Sequence, residues 1–284
     1  MTVSEALRLA ARRFSKAGVP NPALDADLLL RHVTGWDQVR VVTEADLELA
    51  PDVEARFLAL VEGRARRRPA QHLVGTQHFW RHEFVVTPDV LIPRPETEVL
   101  VEISLGLLRE LTAPLIVDVG TGSGCIALSL AAERPDAVVH AVDVSPAALA
   151  VARRNARRLG LERRVAFHEG DLLEPVTDLA GRVDLVASNP PYVDASEVPD
   201  LMPEVRDHEP RLAIQPPGDR CSVYRRLAPQ ALRALRPDGR LVVEIGQGME
   251  GEVSRLLADA GFTLEQVVAD LRSIPRTIVA RKPQ

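Results

Sequence analysis

Leu115-Ile116-Val117-Asp118-Val119-Gly120-Thr121-Gly122-Ser123-Gly124 is the most informative stretch of the chain. A buried-strand run enters three glycines spaced two apart, and the helical pattern Ile126–Ala132 follows at once. Glycines let a backbone turn sharply and let a ligand approach without interference from Cβ. Downstream, Ala137–Val142 reads as a second strand and Asp143 ends it. Ser145-Pro146 supplies an N-cap and a first-turn proline for a helix to Leu159. Val165–His168, Val183–Ala187 and Arg240–Ile245 are further strands; Leu227–Leu235 and Glu250–Ala260 are helical. Phe262–Val268 and Thr277–Ala280 read as closing strands. This alternation predicts an α/β fold: a doubly wound, mostly parallel, seven-stranded Rossmann-like sheet covered on both faces.

Upstream, the pattern changes twice. Residues 1–70 follow helical spacing: Val3, Ala6, Leu7, Ala10 and Phe14, then Leu24, Leu28, Leu29 and Val33, then Val53, Phe57, Leu60 and Val61. They predict a small helical N-terminal domain, broken at Gly18–Pro22 and at Gly35. Residues 71–93 carry Phe79-Trp80 and Phe84-Val85-Val86 around a polar stretch, the pattern of a β-hairpin linker. Residues 94–284 form the α/β domain, with a helix through about Leu108 that Pro95 can start.

Composition narrows the function. The 284 residues hold 35 Lys and Arg against 40 Asp and Glu, a net charge of −5. That argues against gripping nucleic acid by bulk charge. Two cysteines without a CxxC fit a reducing compartment, so a cytoplasmic location is expected. The first twenty residues carry Arg8, Arg12, Arg13 and Lys16 and no signal-type apolar core. No apolar run nears the roughly 18 residues a membrane span needs, so no membrane partner is expected.

The glycine loop suits a nucleotide-like cofactor. Asp143, 23 residues after Gly120, can bind both hydroxyls of an adenosine ribose. Asp171-Leu172, after the third strand, can edge the adenine. Two cofactors fit. Gly122-x-Gly124-x-x-Ala127 can be read as a dinucleotide fingerprint. Asp118 with Gly120, Thr121, Gly122, Ser123 and Gly124 fits S-adenosylmethionine, whose methionine end and ribose the loop would cradle. The loop alone does not choose between them.

Ser188-Asn189-Pro190-Pro191-Tyr192 follows the fourth strand. With strands ordered 3-2-1-4-5, Asn189 faces the glycine loop across the crevice at the switch point. Pro190 biases Asn189 toward extended backbone, and neither proline has an N–H to donate. The Pro190 carbonyl and Asn189 Oδ1 are two converging acceptors, suited to holding an –NH2 group by its two hydrogens. Its nitrogen lone pair then points at a methyl sulfonium. Tyr192 can stack on the planar group that bears the nitrogen. Nitrogen methylation, achieved mainly by positioning, is the reading. A bare Asx-Pro turn is the bland alternative.

Here the sequence resembles a known family, the release-factor glutamine methyltransferases (HemK/PrmC family). The resemblance rests on Pro93-Arg94-Pro95-Glu96-Thr97-Glu98, on Asp118–Gly124 and on Ser188–Tyr192, with a similar helical leader and overall length. It implies a methyltransferase sheet and transfer from S-adenosylmethionine to the N5 amide nitrogen of the glutamine in the Gly-Gly-Gln motif of class 1 peptide-chain release factors. S-adenosylhomocysteine is the product. It implies cofactor contacts at Gly120–Gly124, Asp143, Leu172 and Asn189, and substrate contacts at Asn189, Pro190, Pro191 and Tyr192. The helical leader would hold the release factor. The sequence departs from the family at Gln215–Cys221, where many members carry a double glycine and Asp-Gly-Leu, and at Asp270–Pro275. An amino methyltransferase acting on adenine or guanine is the rival, although a target-recognition region and a basic balance are lacking.

Weaker signals have two readings each. Arg94 and Glu96 either border the cleft and meet substrate or merely start a helix. His78 and His82 fall on a strand, which argues against a metal site. Arg153, Arg154, Arg157, Arg158, Arg163 and Arg164 form a solvated helix face or an acidic-partner site. Cys125 reads as small core packing.

Overall fold

Thr2 opens the first helix with a capping box: its hydroxyl accepts from the Glu5 amide, and the Glu5 carboxylate accepts from the Thr2 amide. Helix α1 (Val3–Lys16) precedes α2 (Pro22–Thr34), which starts on a first-turn proline and ends at left-handed Gly35. Then come α3 (Gln38–Thr43), α4 (Pro51–Ala65) and α5 (Ala70–Val74). Val3, Ala6, Ala10 and Phe14 meet Leu29, Leu30, Phe57 and Val61 in one apolar core.

The computed structural model describes Met1–Gln284 and divides into two compact units. One is Met1–Thr76 with Leu201–His208; the other is Gln77–Asp200 with Glu209–Gln284. The boundary expected at residue 70 thus lies further on, because Ala70–Val74 is helical. The segment 201–208, expected in the α/β domain, belongs with the helices. Charge explains it. Glu204 Oε1 lies 2.7 Å from Arg64 Nη2, and Oε2 lies 2.5 Å from Arg67 Nη2. Arg64 Nε also reaches Asp25 Oδ2 at 2.7 Å. Arg64 is only 4% exposed, so its charge requires these partners. Burial alone would raise the Glu204 pKa, yet the two guanidiniums hold it below the usual carboxylate range.

The hairpin β1 (Thr76–Phe79) and β2 (His82–Val85) starts at the boundary and leads into the second unit, followed by α6 (Thr97–Leu108). Its large sheet comprises β3 (Leu115–Val119), β4 (Val138–Asp143), β5 (Val165–Glu169), β6 (Val183–Ser188), β7 (Leu235–Glu244), β8 (Thr263–Ala269) and β9 (Pro275–Arg281). The order is β5-β4-β3-β6-β7-β9-β8. Pairings from β5 to β7 are parallel, and β9 runs antiparallel to both neighbours. Helices α7 (Cys125–Glu133), α8 (Pro146–Arg158), α9 (Ser222–Ala234) and α10 (Glu250–Asp259) complete this mostly parallel α/β fold. Ile116 and Leu185 face one core, and Val117, Val186 and Val243 the other. Strand order reverses between β3 and β6, which opens a crevice at their C-terminal ends.

Two boundaries differ from expectation. β7 starts at Leu235 because Val183 pairs with Leu235 while Leu185 pairs with Arg240, and the irregularity absorbs Pro237-Asp238-Gly239. Those turn residues hide the first half of the strand. Helix α9 starts at Ser222, before the expected Leu227, with Val223 and Tyr224 buried in its first turn.

Candidate active site

The glycine loop is organised from below by Asp118. This carboxyl is 0% exposed at the end of β3. Its Oδ2 accepts from Thr121 Oγ1 at 2.6 Å and from the Ala127 amide at 3.1 Å, one of the free amides of the first turn of α7. Burial pushes its pKa up to about 7 against those two donors. Gly122 (φ 55) and Gly124 (φ 83) occupy the left-handed region. A Cβ on Gly124 would stand 2.9 Å from Leu128 Cδ1 and 3.2 Å from Ala152 Cβ, so this glycine serves the seating of α7 against α8. At Gly120 and Gly122 a Cβ would meet nothing of the protein within 4 Å, and both residues line the cavity. Asp143 secures the loop from the next strand: Oδ2 accepts from the Gly122 amide at 2.8 Å and Oδ1 from the Ser145 amide at 2.9 Å. Burial raises its pKa.

Across the crevice, β6 ends at Ser188, whose hydroxyl donates to the Val119 carbonyl at 2.8 Å. Asn189 Nδ2 then donates to Thr97 Oγ1 at 3.1 Å. Thr97 donates in turn to Glu244 Oε2 at 2.6 Å, and the Tyr192 hydroxyl lies 3.4 Å from Glu244 Oε1. With its NH2 end on Thr97, Asn189 keeps Oδ1 as an acceptor. Glu244 is 2% exposed, and burial pushes it up to about 7. Burial and the neighbouring Glu244 carboxyl drive the Tyr192 hydroxyl well above its usual range, so it stays protonated.

A cavity of about 450 Å³ joins these parts. Gly120, Thr121, Gly122, Ser123, Asp143, Asp171, Leu172, Asn189, Pro190, Pro191 and Arg94 all line it. Four expected site residues lie off its wall. Asp118 and Gly124 sit beneath the loop for the reasons given. Tyr192 has its ring against Gly246 and its hydroxyl toward Glu244. Glu96 is the N-cap residue of α6. Arg94 is held by Glu209, Nη2 to Oε1 at 2.6 Å. Asp171 pairs with Arg226, another wall residue. Burial pushes the Cys125 thiol up to about 12, so no thiolate nucleophile stands here. Of the arginines around α8, Arg158 pairs with Glu83, Arg153 lies 5.0 Å over the Phe167 ring, and Arg164 donates to the Arg134 carbonyl.

Comparison with known proteins settles the class. Residues 5–75 match the PrmC N-terminal domain model and residues 97–205 the methyltransferase small domain model. The chain is 44% identical over 283 residues to the release factor glutamine methyltransferase of Cereibacter sphaeroides, covering 100% of this chain and 99% of that one. The protein of that name from Moorella thermoacetica is 43% identical, covering 99% of this chain and 98% of that one. The chain belongs to the release factor glutamine methyltransferase family. It is therefore an S-adenosylmethionine-dependent methyltransferase, and the dinucleotide reading of the loop falls away. Among solved structures, the hMettl16 catalytic domain in complex with MAT2A 3'UTR hairpin 6 has a TM-score of 0.57 at 16% identity. It covers 71% of this chain and 76% of that one, a likeness of fold alone.

The residues present fit the methyl donor of this family. Two glycines leave an open face toward the cavity, and a carboxylate on the cavity wall stands at the end of β4. Sequence reasoning missed Thr97, Glu244 and Asn155 as site builders. A single charge closing the apolar run Leu241-Val242-Val243-Glu244 was the available signal. Asn155, on α8, gave none: it is 0% exposed and bonds Val85 and the Ser123 carbonyl.

Proposed function

We propose that this enzyme methylates the N5 amide nitrogen of the glutamine in the Gly-Gly-Gln motif of class 1 peptide-chain release factors, in the cytoplasm. One observation carries the reading: Thr97 fixes the Asn189 amide by its nitrogen, leaving Oδ1 as an acceptor, and Asn189 and Pro190 both line the cavity. No hydrogen bond within the chain is accepted by either oxygen. Two acceptors hold the two hydrogens of a primary amide and orient its nitrogen. An amide lone pair is delocalised into its carbonyl, so orienting and partly localising it addresses the main obstacle. When bound, S-adenosylmethionine supplies an electrophilic methyl carbon on a positively charged sulfur. The Gly120–Gly124 backbone would hold its methionine end, Asp143 its ribose hydroxyls and Asp171-Leu172 its adenine edge. The Asp143 carboxyl accepts backbone amides, among them those of Gly122 and Ser145, and lines the cavity. No side-chain base is required, because the methylated nitrogen becomes strongly acidic and loses its extra proton to water. The helical unit would engage the release factor.

The test is methyl transfer to a purified release factor, read by mass spectrometry of the Gly-Gly-Gln peptide. One added methyl on the glutamine is expected, and Asn189→Ala should lower the rate by about 10²–10³, as for removal of one oriented polar group. Methyl found on nucleic acid and none on that peptide would overturn the proposal.

A further inference from the structure

We infer that Glu244, acting through Thr97, is the positioning residue that decides which way the Asn189 amide faces. The inference rests on the reading of Asn189 as the acceptor for the substrate amide. Asparagine is ambiguous by construction: one end accepts, the other donates, and the two ends are nearly the same shape. Substrate –NH2 needs the accepting end. Something in the protein must therefore hold the donating end elsewhere.

Thr97 is 2% exposed, and its hydroxyl has one proton. Glu244 Oε2 accepts that proton at 2.6 Å. Thr97 Oγ1 is left with lone pairs alone, and only the NH2 end of Asn189 can pair with it, at 3.1 Å. The acceptor character of one buried carboxyl oxygen is thereby passed through one hydroxyl to the amide Oδ1. Without it the hydroxyl is free to rotate, donate to Asn189 Oδ1 and turn the NH2 end outward. A donor would then confront the substrate's own donors.

The same carboxyl group holds the other end of the turn. Glu244 Oε1 lies 3.4 Å from the Tyr192 hydroxyl, and the Tyr224 hydroxyl donates to the Glu244 carbonyl at 2.7 Å, fixing the backbone beneath. Two residues on, a Cβ at Gly246 would lie 2.9 Å from Tyr192 Cδ2 and 2.8 Å from Met249 Sδ. The end of β7 and the residues after it therefore form a mould for the Asn189–Tyr192 turn. Glu244 stands off the cavity wall, so the role assigned to it is purely directional.

The experiment compares kcat, KM and cofactor affinity of Thr97→Val, Thr97→Ser and Glu244→Gln in the full-length enzyme. Thr97→Val keeps the shape and removes the relay. It is expected to lower kcat by about 10- to 100-fold, the scale of a misplaced reacting group, while the calorimetric Kd for S-adenosylhomocysteine stays within about twofold. Thr97→Ser keeps the hydroxyl and should restore most of the rate. Glu244→Gln keeps the volume but can donate to Thr97, so it should lower kcat by about tenfold or more with the fold intact by circular dichroism. In an Asn189→Ala background, Thr97→Val should have no further effect on kcat. The inference is overturned if Glu244→Gln or Thr97→Val retains the wild-type kcat, or if Thr97→Val lowers kcat equally with and without Asn189. Wild-type rate in Asn189→Ala itself would sink the underlying reading instead.

Discussion

Asp118 and Glu244 are carboxyl groups kept from water, and each is pushed up to about 7 by burial. For Asp118 this has a consequence for stability. An unfolded aspartate releases its proton near pH 4, at a pKa of about 3.9. Between there and about 7 the folded protein keeps a proton that the unfolded chain has lost. Stability therefore falls as the pH rises through that window and levels off above it. Asp118→Asn preserves an oxygen for Thr121 and the Ala127 amide but cannot titrate. The variant should gain Tm relative to wild type as the pH is raised from about 5 to about 8. A difference in Tm that does not change with pH would show that Asp118 ionises in the folded state as freely as in the unfolded one.

Among elements, the join between α8, the hairpin and the glycine loop depends on one side chain. Asn155 Oδ1 accepts from the Val85 amide at 2.7 Å, while Nδ2 donates to the carbonyls of Val85 at 3.0 Å and Ser123 at 2.8 Å. Asn155→Ala strands buried backbone groups at roughly 1–3 kcal/mol each. A fall in Tm of several degrees is expected, since about 1 kcal/mol moves Tm by roughly 2–4 °C at this size. Cofactor affinity should fall with it, because Ser123 belongs to the cavity wall. A thermal melt and a calorimetric titration check both, and an unaltered Tm would contradict the assigned role. The contrast with Ser145 shows what a sequence makes legible. Ser145-Pro146 announces a helix start by local chemistry, and Ser145 Oγ indeed accepts from the Ala148 amide at 3.2 Å. The glycine loop, Asp143 and the Asn189 turn are similarly local, each a short pattern at the end of a strand. Asn155, Thr97 and Glu244 act over separations of 32 to 147 residues, and no window along the chain contains both partners. The early part of β7 was hidden for a different reason: Pro237-Asp238-Gly239 spells a turn, and the sheet tolerates it as an irregularity.

At the scale of the molecule, the helical unit is not written in one piece. Its own 1–76 stretch lacks Glu204, which lies between Arg64 and Arg67 and is itself 7% exposed. Removing one partner of a buried pair costs about 3–5 kcal/mol, against a total domain stability of about 5–15 kcal/mol. A fragment of residues 1–76 should unfold at a lower urea concentration than the same fragment joined through a flexible linker to residues 201–208. Equal midpoints for the two would mean that Glu204 is dispensable to the helices. The leader therefore misleads anyone who would cut it out: a chimaera that trades only residues 1–76 exchanges most of a domain and leaves its counter-charge behind in the host. Swaps, truncations and split-protein designs on this chain have to carry the second strip of sequence along, or supply another acid for Arg64.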